Sequence, residues 1–219
     1  MYHDVRKSER GDLARQLRYM RDIGEFLPID EAINVLQGNH RIDGRYLCVT
    51  FDDGYKSTYA HALPVLGELQ VPAAVFVVPR FIHPVAGDRD NRLPDVEYLS
   101  WADCRTMAES GMVIGSHSLS HARLASLDAS AVADELRASK MLIERELGRS
   151  CRHFACPWGQ PNTDFRPDRD PMIAQQLGYG SFFTTLRGKA RQGQSTFLLP
   201  RDKIEPGWGN YQMRFFFSQ

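Results

Sequence analysis

Leu47-Cys48-Val49-Thr50-Phe51-Asp52-Asp53-Gly54-Tyr55 is an apolar, β-prone run that ends in two adjacent carboxylates and a glycine. A short, continuous run of this kind reads as a strand buried in an α/β core, with Cys48 as a core thiol. Two acids at the end of a buried strand are costly to keep charged unless a cation sits beside them. A metal ion would serve. The plainer alternative is a turn at Asp53-Gly54, a common turn pair, with Asp52 capping the helix that follows.

Working outward, further apolar runs alternate with helical spacing. Residues 73–78, 112–117 and 152–157 read as strands, and 2–5, 179–185 and 197–199 as shorter ones. Ser8 to Gly24 has helical spacing, with Leu13, Leu17 and Met20 on one face and Gly24 as its stop. A second helix is capped by Asp30 and ends at Gly38. Others span residues 57–69 and 101–110, and Pro171 opens one that runs to Leu177. Ser130 to Leu147 is the longest, closed by Gly148. Residues 80–100 form a long irregular connection, including Asp88-Arg89-Asp90-Asn91-Arg92, which reads as a surface loop near a site. The alternation predicts a mostly parallel α/β sheet or barrel in one domain spanning residues 1–219. In such folds function collects at the C-terminal strand ends. The informative polar residues lie there: Asp52-Asp53, His117, and Pro157-Trp158-Gly159.

Composition narrows the class. The 219 residues carry 27 basic and 27 acidic side chains, so no excess charge points to nucleic acid. Cysteines 48, 104, 151 and 156 form no Cys-x-x-Cys pair, which argues against a zinc ribbon or thioredoxin motif; disulfides are neither demanded nor excluded. No apolar run approaches the roughly 18 residues needed to span a bilayer. The first residues lack a signal-peptide pattern, so the chain as given reads as cytoplasmic. Export or membrane association would require a preceding segment.

Gly115-Ser116-His117-Ser118-Leu119-Ser120-His121 places two histidines four apart. On a helical turn these positions share a face, so both imidazoles can meet one cation. The alternative is two polar residues on an exposed loop. Two histidines and one carboxylate leave coordination positions open for water and substrate. A divalent metal lowers the pKa of water it holds toward about 7 and polarises a carbonyl oxygen. A second carboxylate, close but not ligating, can take the water's proton. Asp53 would then hold the metal and Asp52 act as the base, hydrolysing an amide or ester.

Thr50-Phe51-Asp52-Asp53-Gly54, then His117-Ser118-Leu119-Ser120-His121, then Phe154-Ala155-Cys156-Pro157-Trp158-Gly159 resembles the polysaccharide deacetylases with a NodB homology domain, carbohydrate esterase family 4. The resemblance implies a distorted (β/α) barrel and removal of acetyl groups from N-acetylated sugars. It implies Asp52 as base and Asp53, His117 and His121 as ligands of a divalent metal, zinc first, with cobalt, nickel or iron as alternatives. The backbone N–H after Pro157, on Trp158, would hold the tetrahedral oxyanion, and the Trp158 ring could stack on a sugar.

Two departures accompany the match. Many members carry arginine two residues before the motif proline, where this chain has Ala155. The late Leu-x-Leu-x-His motif is replaced by Leu199-Pro200-Arg201. Both features, with Tyr2-His3-Asp4-Val5, resemble the exopolysaccharide branch, which includes enzymes of poly-N-acetylglucosamine. There the early histidine is thought to be the general acid, which would be His3; the alternative is a surface histidine. Arg201 could orient Asp52 through a charge-assisted hydrogen bond or stand solvated beside Pro200. Trp101 and Trp208 could line a sugar cleft or a core edge. His40, His61, His83 and His153 read as structural or surface residues.

The leading expectation is a metal-dependent N-deacetylase acting on a GlcNAc-containing glycan. The alternatives are hydrolysis of another amide, small or cyclic, on the same site, and a degenerate non-catalytic carbohydrate-binding protein. No Gly-x-x-x-x-Gly-Lys-Ser/Thr loop supports a nucleotide reading.

Overall fold

The computed structural model describes residues 1–38, 42–84, 93 and 95–217. His40 and the Asp88–Arg92 run lie outside them. In chain order the strands are β1 (Glu25–Phe26), β2 (Tyr46–Leu47), β3 (Val49–Phe51), β4 (Ala73–Val77), β5 (Val113–Ser116), β6 (His153–Ala155) and β7 (Ser181–Phe183). The helices are α1 (Arg10–Ile23), α2 (Ile29–Gln37), α3 (Leu63–Glu68), α4 (Pro79–Ile82), α5 (Trp101–Glu109), α6 (Ala129–Leu147), α7 (Asp170–Gln176) and α8 (Asn210–Phe217).

Five strands form one parallel sheet in the order β3-β4-β5-β6-β7. Crossover helices cover it, so β3, β4, β6 and β7 are buried along their whole length. That is why the sequence reads there as continuous apolar runs rather than as alternation. The sheet curls into a half-barrel. Tyr2 adds a parallel bridge to Phe51 at one edge and Leu199 adds one to Phe183 at the other. The two edge segments then meet, since Ile204 N–H donates to the Met1 carbonyl at 2.9 Å. Close strand packing requires glycine at 115, where a Cβ would lie 2.6 Å from the Phe76 ring and 2.9 Å from the His153 carbonyl.

Helix α6 shows how local sequence aims an element at the sheet. Asp128 caps it, accepting from Ala131 N–H at 2.8 Å. Gly148 ends it in the left-handed conformation. Val132, Leu136, Ser139 and Ile143 recur at helical spacing and are buried. Ser139 Oγ lies 2.7 Å from Ser116 Oγ, which fixes the helix against the end of β5.

Several local expectations change. The 47–51 run is not one strand. It breaks at Cys48, because Tyr46–Leu47 pairs with β1 in a separate two-stranded sheet. Cys48 falls in the break and is exposed rather than a core thiol. Asp30 does not cap α2; Pro28 takes the cap position, and Asp30 meets His153 Nε2 at 3.2 Å and Arg152 at 3.1 Å. Segments 2–5 and 197–199 contribute single bridges rather than strands. Within the described residues of the 80–100 connection, α4 occupies 79–82 and Tyr98 bridges Tyr55. Trp101 and Trp208 pack at the core edge. No described helix is long and apolar enough to cross a membrane.

Candidate active site

The C-terminal ends of β3, β5 and β6 and both sheet edges converge on one cluster. Asp52 and Asp53 follow β3, His117 follows β5, and Pro157 and Trp158 follow β6. Main-chain bonds set Asp52, whose N–H donates to the Tyr2 carbonyl at 3.0 Å. That pairing also brings His3 level with the acids.

Asp52 is only 2% exposed, yet it is fully matched. Arg201 spans both its oxygens, Nη1 to Oδ1 and Nη2 to Oδ2, each at 2.7 Å. Arg201 is itself buried, and its Nε donates to the Thr184 carbonyl at 3.1 Å. Burial pushes the Asp52 carboxyl up, but the charge and hydrogen bonds of Arg201, with His117 and His3, hold it below the usual carboxylate value. The cation that the sequence argument demanded beside Asp52 is therefore a guanidinium, reached from the opposite sheet edge.

Asp53 sits differently. Its Oδ1 is buried without a hydrogen-bond partner and lies 3.4 Å from His117 Nε2 and 3.2 Å from His121 Nε2. Ligand atoms of these three residues lie within 4.8 Å of one another. His117 Nδ1 is 2.7 Å from the Ala155 carbonyl, so that nitrogen carries the proton and Nε2 turns its lone pair toward Asp53. Two imidazole nitrogens and an unpartnered carboxylate oxygen at one point suit a borderline divalent cation. Burial raises the Asp53 pKa, but the two imidazoles beside it, when protonated, hold it well below the ordinary range.

The histidines are not on a helical turn. His117 follows the end of a strand, and Ser118 and His121 both adopt left-handed backbone, with φ of 61° and 60°. The loop, not a helix face, brings the rings to 5.1 Å between centroids. Asp53 and Trp158 are also left-handed, at 69° and 55°. Such residues cost about 1–2 kcal/mol each outside glycine, and strain of this kind gathers where geometry is over-determined.

Trp158 is 45% exposed. Its ring stands edge-on to His121, with centroids 4.4 Å apart, and the Arg123 guanidinium lies 5.0 Å from the ring centroid. His3 Nδ1 is buried without a hydrogen-bond partner. Burial lowers the His3 pKa against the pull of Asp52 and Asp53. His83 is exposed in the 80s connection, and His153 is a buried structural residue between Ser181 and Asp30.

Sequence reasoning missed Glu135, which binds the loop between the two histidines, because no periodicity marks it. Tyr55 was also missed: its phenol is raised by burial and by the neighbouring Asp53 charge.

The polysaccharide deacetylase family profile matches residues 40–180, more than half of the chain and inclusive of Asp52, Asp53, His117, His121 and Trp158. The chain belongs to the polysaccharide deacetylase family. His3 and Arg201 lie outside the matched segment. Over 213 residues the deacetylase chain is 25% identical to the Bacillus subtilis (strain 168) protein YxkH, covering 94% of this chain and 71% of YxkH. It superposes on IcaB from Ammonifex degensii with a TM-score of 0.79 and 26% identity, over 93% of this chain and 89% of that one. The Streptococcus pyogenes deacetylase PplD, solved with acetate, shares the fold with a TM-score of 0.80 at 23% identity, over 94% and 86% of the two chains. These likenesses place the curled sheet within the NodB-type distorted barrel.

Proposed function

We propose that this deacetylase is a metal-dependent hydrolase that removes N-acetyl groups from a GlcNAc-containing glycan. The observation that carries the reading is the pairing of a charged, Arg201-locked Asp52 with the unpartnered Asp53 oxygen facing two imidazoles. Asp53, His117 and His121 would hold a divalent cation, zinc first. When bound, such an ion polarises the amide carbonyl and makes water more acidic.

The chain's own groups take the remaining roles. Asp52 is the general base. Arg201 occupies one lone pair on each oxygen and keeps the group ionised, leaving the other lone pairs to accept a proton from water. The water oxygen adds to the amide carbon. The Trp158 N–H, turned by the left-handed backbone there, donates to the oxygen that becomes negative. His3 gives its proton to the leaving nitrogen, so the products are acetate and a free amine. Burial, by lowering the His3 pKa, makes its protonated ring the better donor. Pro157 and Trp158 border the sugar. The exposure of Trp158 supports an open surface suited to a polymer rather than to a small cyclic amide. Tyr2-His3-Asp4-Val5, Ala155 in place of arginine, and the likeness to IcaB support the exopolysaccharide branch.

The test is acetate release from an N-acetylglucosamine oligomer by protein stripped of metal and reloaded with zinc, cobalt or nickel. Release should depend on the metal and fall about 10²–10⁴-fold in Asp52→Asn. A His3→Ala variant with near-wild-type turnover would remove His3 from the mechanism. Stoichiometric metal binding with no release from any N-acetylated glycan would overturn the deacetylase reading.

A further inference from the structure

Four residues, Ser118 to His121, carry the chain from one imidazole to the other with two left-handed turns and no helical hydrogen bonding. One side chain organises them. Glu135 Oε2 accepts from Leu119 N–H and from Ser120 N–H, each at 3.0 Å, and Oε1 accepts from Ser120 Oγ at 2.7 Å. From the other side Arg80 N–H donates to the Leu119 carbonyl at 3.0 Å. Glu135 is one residue from buried Leu136 on α6, whose register is fixed by Ser139 against Ser116. The carboxylate thus ties the loop to the helix that packs beneath β5.

We infer that Glu135 is a positioning residue that sets His121 for the cation held with Asp53 and His117, an inference that rests on the metal reading above. The two histidines are held by different means. His117 is fixed without Glu135: its N–H donates to the Val77 carbonyl at 2.9 Å and its Nδ1 pairs with the Ala155 carbonyl. His121 depends on the path of the loop. The Glu135 bonds go to loop atoms and not to the core, so its loss acts on His121 and leaves the sheet standing. Groups that orient a ligand without touching the metal typically carry about 10–100-fold in affinity.

The experiment measures cobalt(II) affinity of the full chain by chelator competition, with the visible absorption of the bound ion as a second readout. Glu135→Ala should bind about 10–100-fold more weakly with unchanged far-ultraviolet circular dichroism. Glu135→Gln should stay close to wild type, because its carboxamide oxygen accepts both N–H groups and its NH2 donates to Ser120 Oγ. In a His121→Ala background, Glu135→Ala should add no further loss, since the ligand it positions is gone. Should Glu135→Ala fold poorly, Glu135→Asp, too short to reach the loop, should show the same selective weakening. Wild-type affinity in Glu135→Ala, or an equal loss with and without His121, would overturn the inference while leaving the metal reading intact. Wild-type protein that binds no cobalt(II) would overturn the metal reading and this inference with it.

Discussion

Asp52 and Asp53 are adjacent in sequence and opposite in circumstance. Asp52 is sealed, with both oxygens met by a planar guanidinium at 2.7 Å. Asp53 keeps an oxygen with no hydrogen-bond partner, within 3.2–3.4 Å of two imidazoles. One left-handed residue, Asp53 at φ 69°, sends the two side chains to different partners. The protein neutralises one acid with its own cation; in the proposed mechanism the other is left for a cation from solution. A base must stay ionised yet unligated, and a ligand must keep a lone pair free, so under the proposed roles the contrast would supply both needs from one turn.

The largest effects should come from exchanging these circumstances. Asp53→Ala should abolish cobalt or zinc binding in calorimetric titration and remove acetate release altogether. Asp52→Asn should keep metal affinity within a few-fold yet lose about 10²–10⁴-fold in kcat, the usual contribution of a positioned base. Equal loss of metal binding in both variants would erase the proposed division of labour.

Next in size is the stability carried by the sealed pair. Arg201→Met leaves a carboxylate buried without its partner, a change that costs about 3–5 kcal/mol. Urea unfolding of metal-stripped protein should show it as a lower midpoint at unchanged slope. Adding Asp52→Asn should return much of the loss, because no charge is then stranded. If Arg201→Met alone were as stable as wild type, the pair would not be the neutralising element claimed for it.

The same contrast marks what could be read without coordinates. Asp52, Asp53, His117 and His121 stand out only together, because an Asp-Asp strand end combined with His-x-x-x-His resembles one family, whereas either motif alone also reads as a turn or an exposed loop. The parallel sheet was equally legible, from apolar runs such as 73–78. What was not legible depends on contacts far apart in sequence. Arg201 could be read as a partner of Asp52 or as a solvated side chain until the curl brought the sheet edges together, 149 positions apart. Glu135 carries no signal, since in sequence a glutamate on a helix flank looks like any other. The helical turn expected for His117–His121 failed because i, i+4 spacing also fits a loop held by outside bonds. The Cys48 reading failed because a run of β-formers does not reveal that it serves two different sheets.

The smallest effect is a pH dependence of stability whose direction separates the paired acid from a stranded one. Asp52 is depressed in the folded chain, against an unfolded value near 3.9. A depressed acid contributes stability that is fully present above the unfolded pKa and is lost as pH falls through the folded one. The difference in unfolding free energy between wild type and Asp52→Asn should therefore still be present at about pH 5, above the range in which Asp52 itself titrates. Below about pH 4 it should decline, by at most about 1.4 kcal/mol per pH unit. In the Arg201→Met background burial acts unopposed by that cation, so the Asp52 value should rise and the slope should reverse, with stability gained as pH falls. Urea midpoints at several pH values, taken without metal so that Asp53 contributes equally to every variant, would read both slopes. Parallel curves for wild type and Asp52→Asn would mean that Arg201 does not hold Asp52 ionised. Its claim to be the ready base would then fail, whatever the metal does at Asp53.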